Sequence, residues 1–467
     1  MISLPLAFFA AFALTIGAGA GMVALLAPVK LRLGERWALS WLIGSMIVSF
    51  GEWIFSFLCH GFILQAALTL LCLGLGVVAF VRRRAHSPIR PGNWEYFLWT
   101  LFLLQLVAVF YLSFKHTLGW DGLLNWEFKA HIAYENGGSL PPTYFADEQR
   151  AFSHPEYPLG IPNLELWFYS WLGEANQFWI KAIFPSYYAA GALLLAAFIE
   201  ILTEKRLFAL ASAVLFFFVP QFLVNPGAAI TGYADFPLAV FYLGAIGFLL
   251  LAERGEEWFW LAAFLLSFLP WLKREGIVLW MTGVVCGLLF RGRRSLGKTI
   301  FGLSGGLLVF LSWQGYLLAN HCFVVSDFAG LNPESLSKHF NRLGPTLQTL
   351  VQNLFDLQLW SLLWYGAIAG AIILLWHGRA RAALLLLVAL LLPLSFDVAI
   401  FLFSAWPDYL RHVNLSLDRL VMQVAPTAFL LVSLAAAVMV PDLTKRKILE
   451  AGAFRRQNLP AEQEPSG

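Results

Sequence analysis

The sequence predicts an all-α polytopic membrane protein, and three observations carry that expectation. The 467-residue chain is 59% hydrophobic and 13% charged, against roughly 45–50% apolar and about 25% charged in soluble domains. Its apolar residues fall into about thirteen stretches near the ~20 residues that a helix needs to cross a ~30 Å hydrocarbon core. Its basic residues concentrate in alternate connections between those stretches. Backbone amides in lipid must be satisfied within their own segment, so the stretches are helices rather than open strands.

In chain order the spans lie near residues 2–29, 38–58, 61–81, 94–114, 176–202, 206–222, 232–252, 257–272, 276–290, 299–320, 352–376, 382–403 and 419–440. The first has no basic residues ahead of it and several after it, the reverse of a cleavable signal peptide, and is read as a retained helix. With the N-terminus outside, one side receives Lys30, Arg32 and Arg36, Arg82 to Arg84 with Arg90, Lys205 and Arg206, Arg254, Arg291 to Lys298, Arg379 and Arg381, and the tail cations from Lys445 to Arg456. Most of the 31 Lys and Arg are thereby on one face. The positive-inside bias makes that face cytoplasmic, with the C-terminus, and places the protein as a multi-pass chain in the cytoplasmic (inner) membrane. Residues 1–440 then form one transmembrane domain, with extracytoplasmic loops at 115–175 and 321–351, and 441–467 is a charged, Pro/Glu/Gln-rich cytoplasmic tail expected to be disordered.

Composition also excludes some functions. A net charge of +3, spread over short clusters, gives no nucleic-acid surface. Cys59, Cys72, Cys286 and Cys322 are dispersed, with neither the spacing of a zinc site nor a disulfide framework.

The chemistry-bearing residues concentrate in the loops of the outer face. Residues 123–137 put Leu123, Trp126, Ala130, Ala133 and Tyr134 at helical spacing and read as a helix lying along the interface. Asp121 stands just before it, suited both to cap that helix and to act as a general base at the membrane boundary. His154-Pro155-Glu156-Tyr157-Pro158 leads into a short apolar run, Leu159 to Leu172, read as a re-entrant or surface helix. His154, Glu156 and Tyr157 are candidates for binding a polar substrate. Asp235, at the start of its span, either caps that helix or lines a pocket. Lys273-Arg274-Glu275 interrupts apolar sequence, where charges face a cavity or a partner by default, and a Lys-Arg pair suits phosphate. Arg419, read as the start of the last helix, gains from the anion-attracting amides there. A metal held by Asp121, His131, His154 and Glu156 has no close ligand spacing behind it. No cofactor is therefore assigned, and a divalent metal stands as the alternative.

Five motifs in order resemble one family. Trp120-Asp121 in the first outer loop, His154-Pro155-Glu156-Tyr157-Pro158-Leu159, Gly232 to Ala239, Lys273-Arg274-Glu275-Gly276 and Ser416-Leu417-Asp418-Arg419-Leu420 are similar to those of bacterial GT-C glycosyltransferases, across roughly residues 115–440. The likeness is to the branch with aminoarabinose transferases and protein O-mannosyltransferases. It implies a polyprenyl-phosphate-linked sugar donor, a lipid, glycan or protein acceptor, and inverting transfer of a hexose or pentose. Asp121 takes the place of the catalytic base. His154, Glu156, Tyr157, Asp235 and Glu275 become substrate-binding residues, and Lys273, Arg274 and Arg419 donor-phosphate contacts. Where the family often has two adjacent acidic residues, this chain has Asp121-Gly122. Alternative readings are a multi-pass transporter or lipid-linked-sugar flippase, whose polar residues should sit in mid-membrane, a glycan ligase or polymerase using a lipid-diphosphate donor, and a non-catalytic assembly protein.

Overall fold

The computed structural model describes residues 3–26, 31–82, 92–291, 296–324, 326–330 and 332–440. Lys30, Arg83, Arg84, Arg90, Arg293, Arg294 and the tail 441–467 lie outside the described residues. Among those described the chain is helical without a strand, and a single isolated antiparallel bridge joins Phe328 to Ser404.

Eight helical segments among the described residues are long and apolar enough to cross a membrane. They include α1 (Leu4–Leu26), α2 (Leu33–Phe55), α3 (Gly61–Val81) and α4 (Asn93–Lys115). After the first long loop, with α5 (Phe128–Glu135) and α6 (Gly160–Leu172), comes α7 (Ile183–Thr203). Four further apolar helices are shorter, among them α8 (Asp235–Leu251) and α9 (Gly276–Phe290). Then follow α10 (Gly305–Ala319), α11 (Ala380–Phe401) and α12 (Tyr409–Met439).

Burial sorts these helices. Only 17% of α3's most apolar window and 22% of that in α4 is buried, against 94% of the segment containing α7. Phe62, Phe80, Leu104 and Val107 are exposed on α3 and α4. Apolar surface on this scale does not face water in a soluble monomer, so it is the lipid-facing surface of a multi-pass membrane protein. The interior helices are packed from all sides.

Small residues set the closest crossings. A Cβ added at Gly19 would run into the Ser40 carbonyl, and one at Gly44 into that of Thr15. α1 and α2 thus meet backbone to backbone, the packing that small residues allow in lipid, where no hydrophobic drive exists between helices.

Several local expectations are corrected. Residues 123–137 are packed on more than one side, although Leu123, Glu135 and Asn136 stay exposed. They form a π-helix, Gly122–Glu127, running into α5, with Trp126, Glu127 and Lys129 buried. α6 is likewise buried along almost its whole length, packed on α1, α2 and α5 rather than exposed. The last helix starts at Tyr409, ten residues before Arg419, because Asp408 caps it by accepting the Arg411 backbone amide at 3.0 Å.

Candidate functional site

The cavity that concerns us is about 650 Å³ in volume. It opens where the C-terminal part of α11, the first half of α12 and the N-termini of α8 and α9 meet the two long loops. It is lined by Asp121, His154, Glu156, Tyr157, Lys273, Arg274, Glu275 and Arg419, joined by Trp120, Asn125, Tyr233, Asp327, Asp397, Trp406, His412 and Gln423. Of the residues given a catalytic or substrate-binding role from the sequence, only Asp235 is not on its wall. Asp235 is fully buried immediately beneath it, bonded to two lining residues.

Asp121 is positioned by a backbone contact. The Gly119 amide donates to the Thr231 carbonyl at 2.8 Å. Next to Asp121, a Cβ at Gly122 would meet the same oxygen at 2.6 Å. The second acidic residue of the GT-C pattern therefore has no room here, and glycine is what the packing admits. Asp121 makes no helix-capping bond. Its Oδ2 accepts from the Arg419 guanidinium, which also sits 5.5 Å from the centre of the Tyr233 ring. Since Arg419 stands within α12, helix-terminal amides add nothing to it. Its cation is matched by Asp121 instead, and its buried Nε has no hydrogen-bond partner among the described residues.

A second ionic group lies under the floor. Lys273 is 3% exposed and donates from Nζ to Asp235 Oδ1 at 2.7 Å, with Glu275 at 3.2 Å. Gln423 donates to the same Asp235 oxygen at 3.1 Å. Burial works against the Lys273 ammonium, but Asp235 and Glu275 outweigh it and hold the pKa above its ordinary value. Asp235 does not cap α8: its side chain serves this pair. Lys273 is thus held by two carboxylates, whereas neighbouring Arg274 is half exposed, with Glu156 Oε1 3.9 Å away.

The His154 segment is held by Lys129, a residue that the sequence did not single out. Lys129 Nζ donates to Asn125 Oδ1 and to the His154 carbonyl, both at 2.7 Å, beneath the rings of Trp126 and Tyr157. Its burial, partly offset by Glu156, brings the pKa down to about 7. His154 has φ 47°, unusual for a non-glycine residue. The Lys129 bond and the Tyr157 amide, which donates to the same carbonyl at 3.0 Å, keep it there. His154 Nδ1 lies 3.4 Å from Glu156. Although burial opposes ionisation of Glu156, His154 and Lys129 hold its carboxyl below its ordinary pKa.

Asp327 and Trp406 complete the wall from stretches in which the sequence marked no motif. The Ala329 amide donates to the Phe403 carbonyl at 2.6 Å and the Ala405 amide to that of Asp327 at 2.8 Å. These bonds pin the second long loop to the α11–α12 connection. Trp406 Nε1 donates to Asp327 at 2.9 Å, and His412 stacks on the Trp406 ring at 4.7 Å. Asp397 alone had a clue, as the one carboxylate in the span predicted at 382–403.

His131 is not on the cavity wall and faces Glu127 and Glu135 instead. Among the described residues no three His, Cys, Asp or Glu side chains are placed to hold a metal ion. Known protein families, curated proteins and solved structures were all compared with the chain, and none matches.

Proposed function

We propose that the protein is a membrane glycosyltransferase that moves a sugar from a polyprenyl-phosphate carrier to a lipid, glycan or protein acceptor. The observation that carries this reading is the meeting of Asp121, His154, Glu156, Arg274 and Arg419, from stretches up to 298 positions apart, on one cavity among apolar helices.

The chemistry follows from the charges. Arg419 holds Asp121 Oδ2, leaving Oδ1 to take a proton from the acceptor hydroxyl. The acceptor oxygen then bonds to the anomeric carbon as the carbon–oxygen bond to the lipid phosphate breaks, inverting the centre. Arg274 offsets the charge gathering on the departing phosphate. Lys273, matched by Asp235 and Glu275, fixes the floor. His154 and Glu156 position the sugar or acceptor, and the bound geometry itself contributes to the rate. This reading puts the cavity at the outer face of the cytoplasmic membrane.

A transporter would keep its ionisable groups near the middle of the bilayer. Glu52 and Asp397 stand only three and four residues from the ends of α2 and α11, which favours a reaction at the membrane boundary. The test is mass spectrometry of cell glycolipids and glycans with and without the protein, beside transfer by the purified Asp121→Asn variant. A sugar missing from one acceptor, and a loss of at least ~10²-fold in transfer with insertion unchanged, is expected. Full turnover by Asp121→Asn removes the base assignment. Unchanged glycans removes the enzyme.

A further inference from the structure

Asn125 lines the cavity four residues after Asp121, within the π-helix Gly122–Glu127. Residues four apart share one face of a helix, so the two side chains are neighbours on the wall. Turns of this kind are rare and concentrate at functional sites. Asn125 is only 2% exposed, and the transfer proposed above gives it no task. Lys129 decides which way its amide points. Lys129 Nζ donates to Asn125 Oδ1 and to the His154 carbonyl, each at 2.7 Å. A lysine ammonium offers three donors and no acceptor, so the amide oxygen has to face it, and turning the amide over would set N–H against N–H. The oxygen is thereby used inside the protein and Nδ2 is turned the other way. Nδ2 bonds to none of the described residues and is not sealed off from the cavity that Asn125 lines.

An uncharged N–H donor therefore stands beside the Asp121 carboxylate. The chemistry of the two selects what Nδ2 can meet. An anion at Nδ2 is repelled by Asp121, and an ammonium has no lone pair to accept from it. A hydroxyl oxygen does accept. We propose that Asn125 is a further substrate-binding residue, whose Nδ2 donates to a hydroxyl of the transferred sugar beside the reacting carbon. This rests on the function proposed above, because it is the acceptor oxygen held at Asp121 that bonds to that carbon. A hydrogen bond to such a hydroxyl strengthens as charge develops at the anomeric centre, so it acts on the rate as well as on binding. A site built to donate to a substrate hydroxyl also rejects analogues that lack it.

The experiment adds the purified full-length protein, at pH 7, to membranes from cells that lack it, which supply donor and acceptor together, and measures the transferred sugar by mass spectrometry. Asn125→Asp keeps an oxygen for Lys129 and gives that lysine an opposite charge, so its melting temperature should equal or exceed that of the unaltered chain. It also puts a carboxylate oxygen where Nδ2 stood, and transfer should fall at least ~10²-fold. Asn125→Ala removes the donor without adding a charge and should lose about tenfold. Full transfer by either variant overturns the assignment. A lowered melting temperature for Asn125→Asp overturns it as well, since the amide oxygen was then not turned toward Lys129. No transfer by the unaltered chain is a separate outcome: it removes the sugar-transfer reading, and this assignment with it.

Discussion

Lys273 and Asp235 show how a motif can be legible while its role is not. Lys273-Arg274-Glu275 read as charges facing a cavity with the Lys-Arg pair suited to phosphate, yet Lys273 closes a buried pair while Arg274 is half exposed, 3.9 Å from Glu156. Removing one member of such a pair leaves the other as an uncompensated charge, so Lys273→Met should cost about 3–5 kcal/mol. The double variant Asp235→Asn/Lys273→Met should recover much of that in thermal melting. Equal losses from single and double variants would mean that the pair is not coupled. Lys129 gives a prediction in pH. Its folded pKa lies near 7 and its ordinary value is 10.5, so between those values the unfolded chain holds a proton that the folded chain has lost. Stability therefore rises as pH climbs from about 7 toward 10.5, and the penalty is complete below 7. Lys129→Met should flatten the change in melting temperature between pH 7 and pH 9, and an unaltered slope would exclude Lys129 as its source.

At the scale of elements, the sequence located most helices and misjudged the surroundings of several. Periodicity over 123–137 correctly marked a helix, but reading it along the interface left the side that carries Glu127 and Lys129 unpacked. α6 covers that side, taking Glu127 through the Tyr169 hydroxyl at 2.8 Å, while the His154 carbonyl takes Lys129. Such pairings join residues 42 and 25 positions apart, beyond the reach of any local pattern. The start of α12 was misplaced for a simpler reason: residues 409–418 are polar enough to read as loop, and the Asp408 cap extends the helix through them. The α1–α2 crossing is the clearest test at this scale. Gly44→Leu must force the two backbones apart and should lower stability by at least ~1–3 kcal/mol, as overpacking does. Normal melting of that variant would show that the crossing relaxes freely.

The whole molecule has two chemically different ends. α11 begins beside Arg379 and Arg381, the latter paired with Glu253, and finishes on the cavity with Phe401. α12 runs the opposite way, from His412 on the cavity to Val440, whose carbonyl accepts from Lys205. The proposed orientation puts the cavity end outside the cell and the end with Arg379, Arg381 and Lys205 in the cytoplasm. In a chain freed of its four cysteines, a cysteine at exposed Trp120 should be labelled by an impermeant maleimide on intact cells, and one at Arg254 only after lysis. The opposite pattern would invert the topology and place the cavity in the cytoplasm.

Sequence alone determined the solvent this protein lives in, because lipid imposes a length and composition on every helix that crosses it, and that constraint is local. It also picked out Asp121, His154, Glu156, Lys273, Arg274, Glu275 and Arg419, since charges that interrupt apolar sequence are conspicuous, but not Asp327, Asp397 or His412, which share the cavity wall. Only the tertiary structure decided which of those charges cancel one another. Arg419 meets Asp121 and Lys273 meets Asp235, since Coulombic pairing depends on distances set by the packing of remote helices.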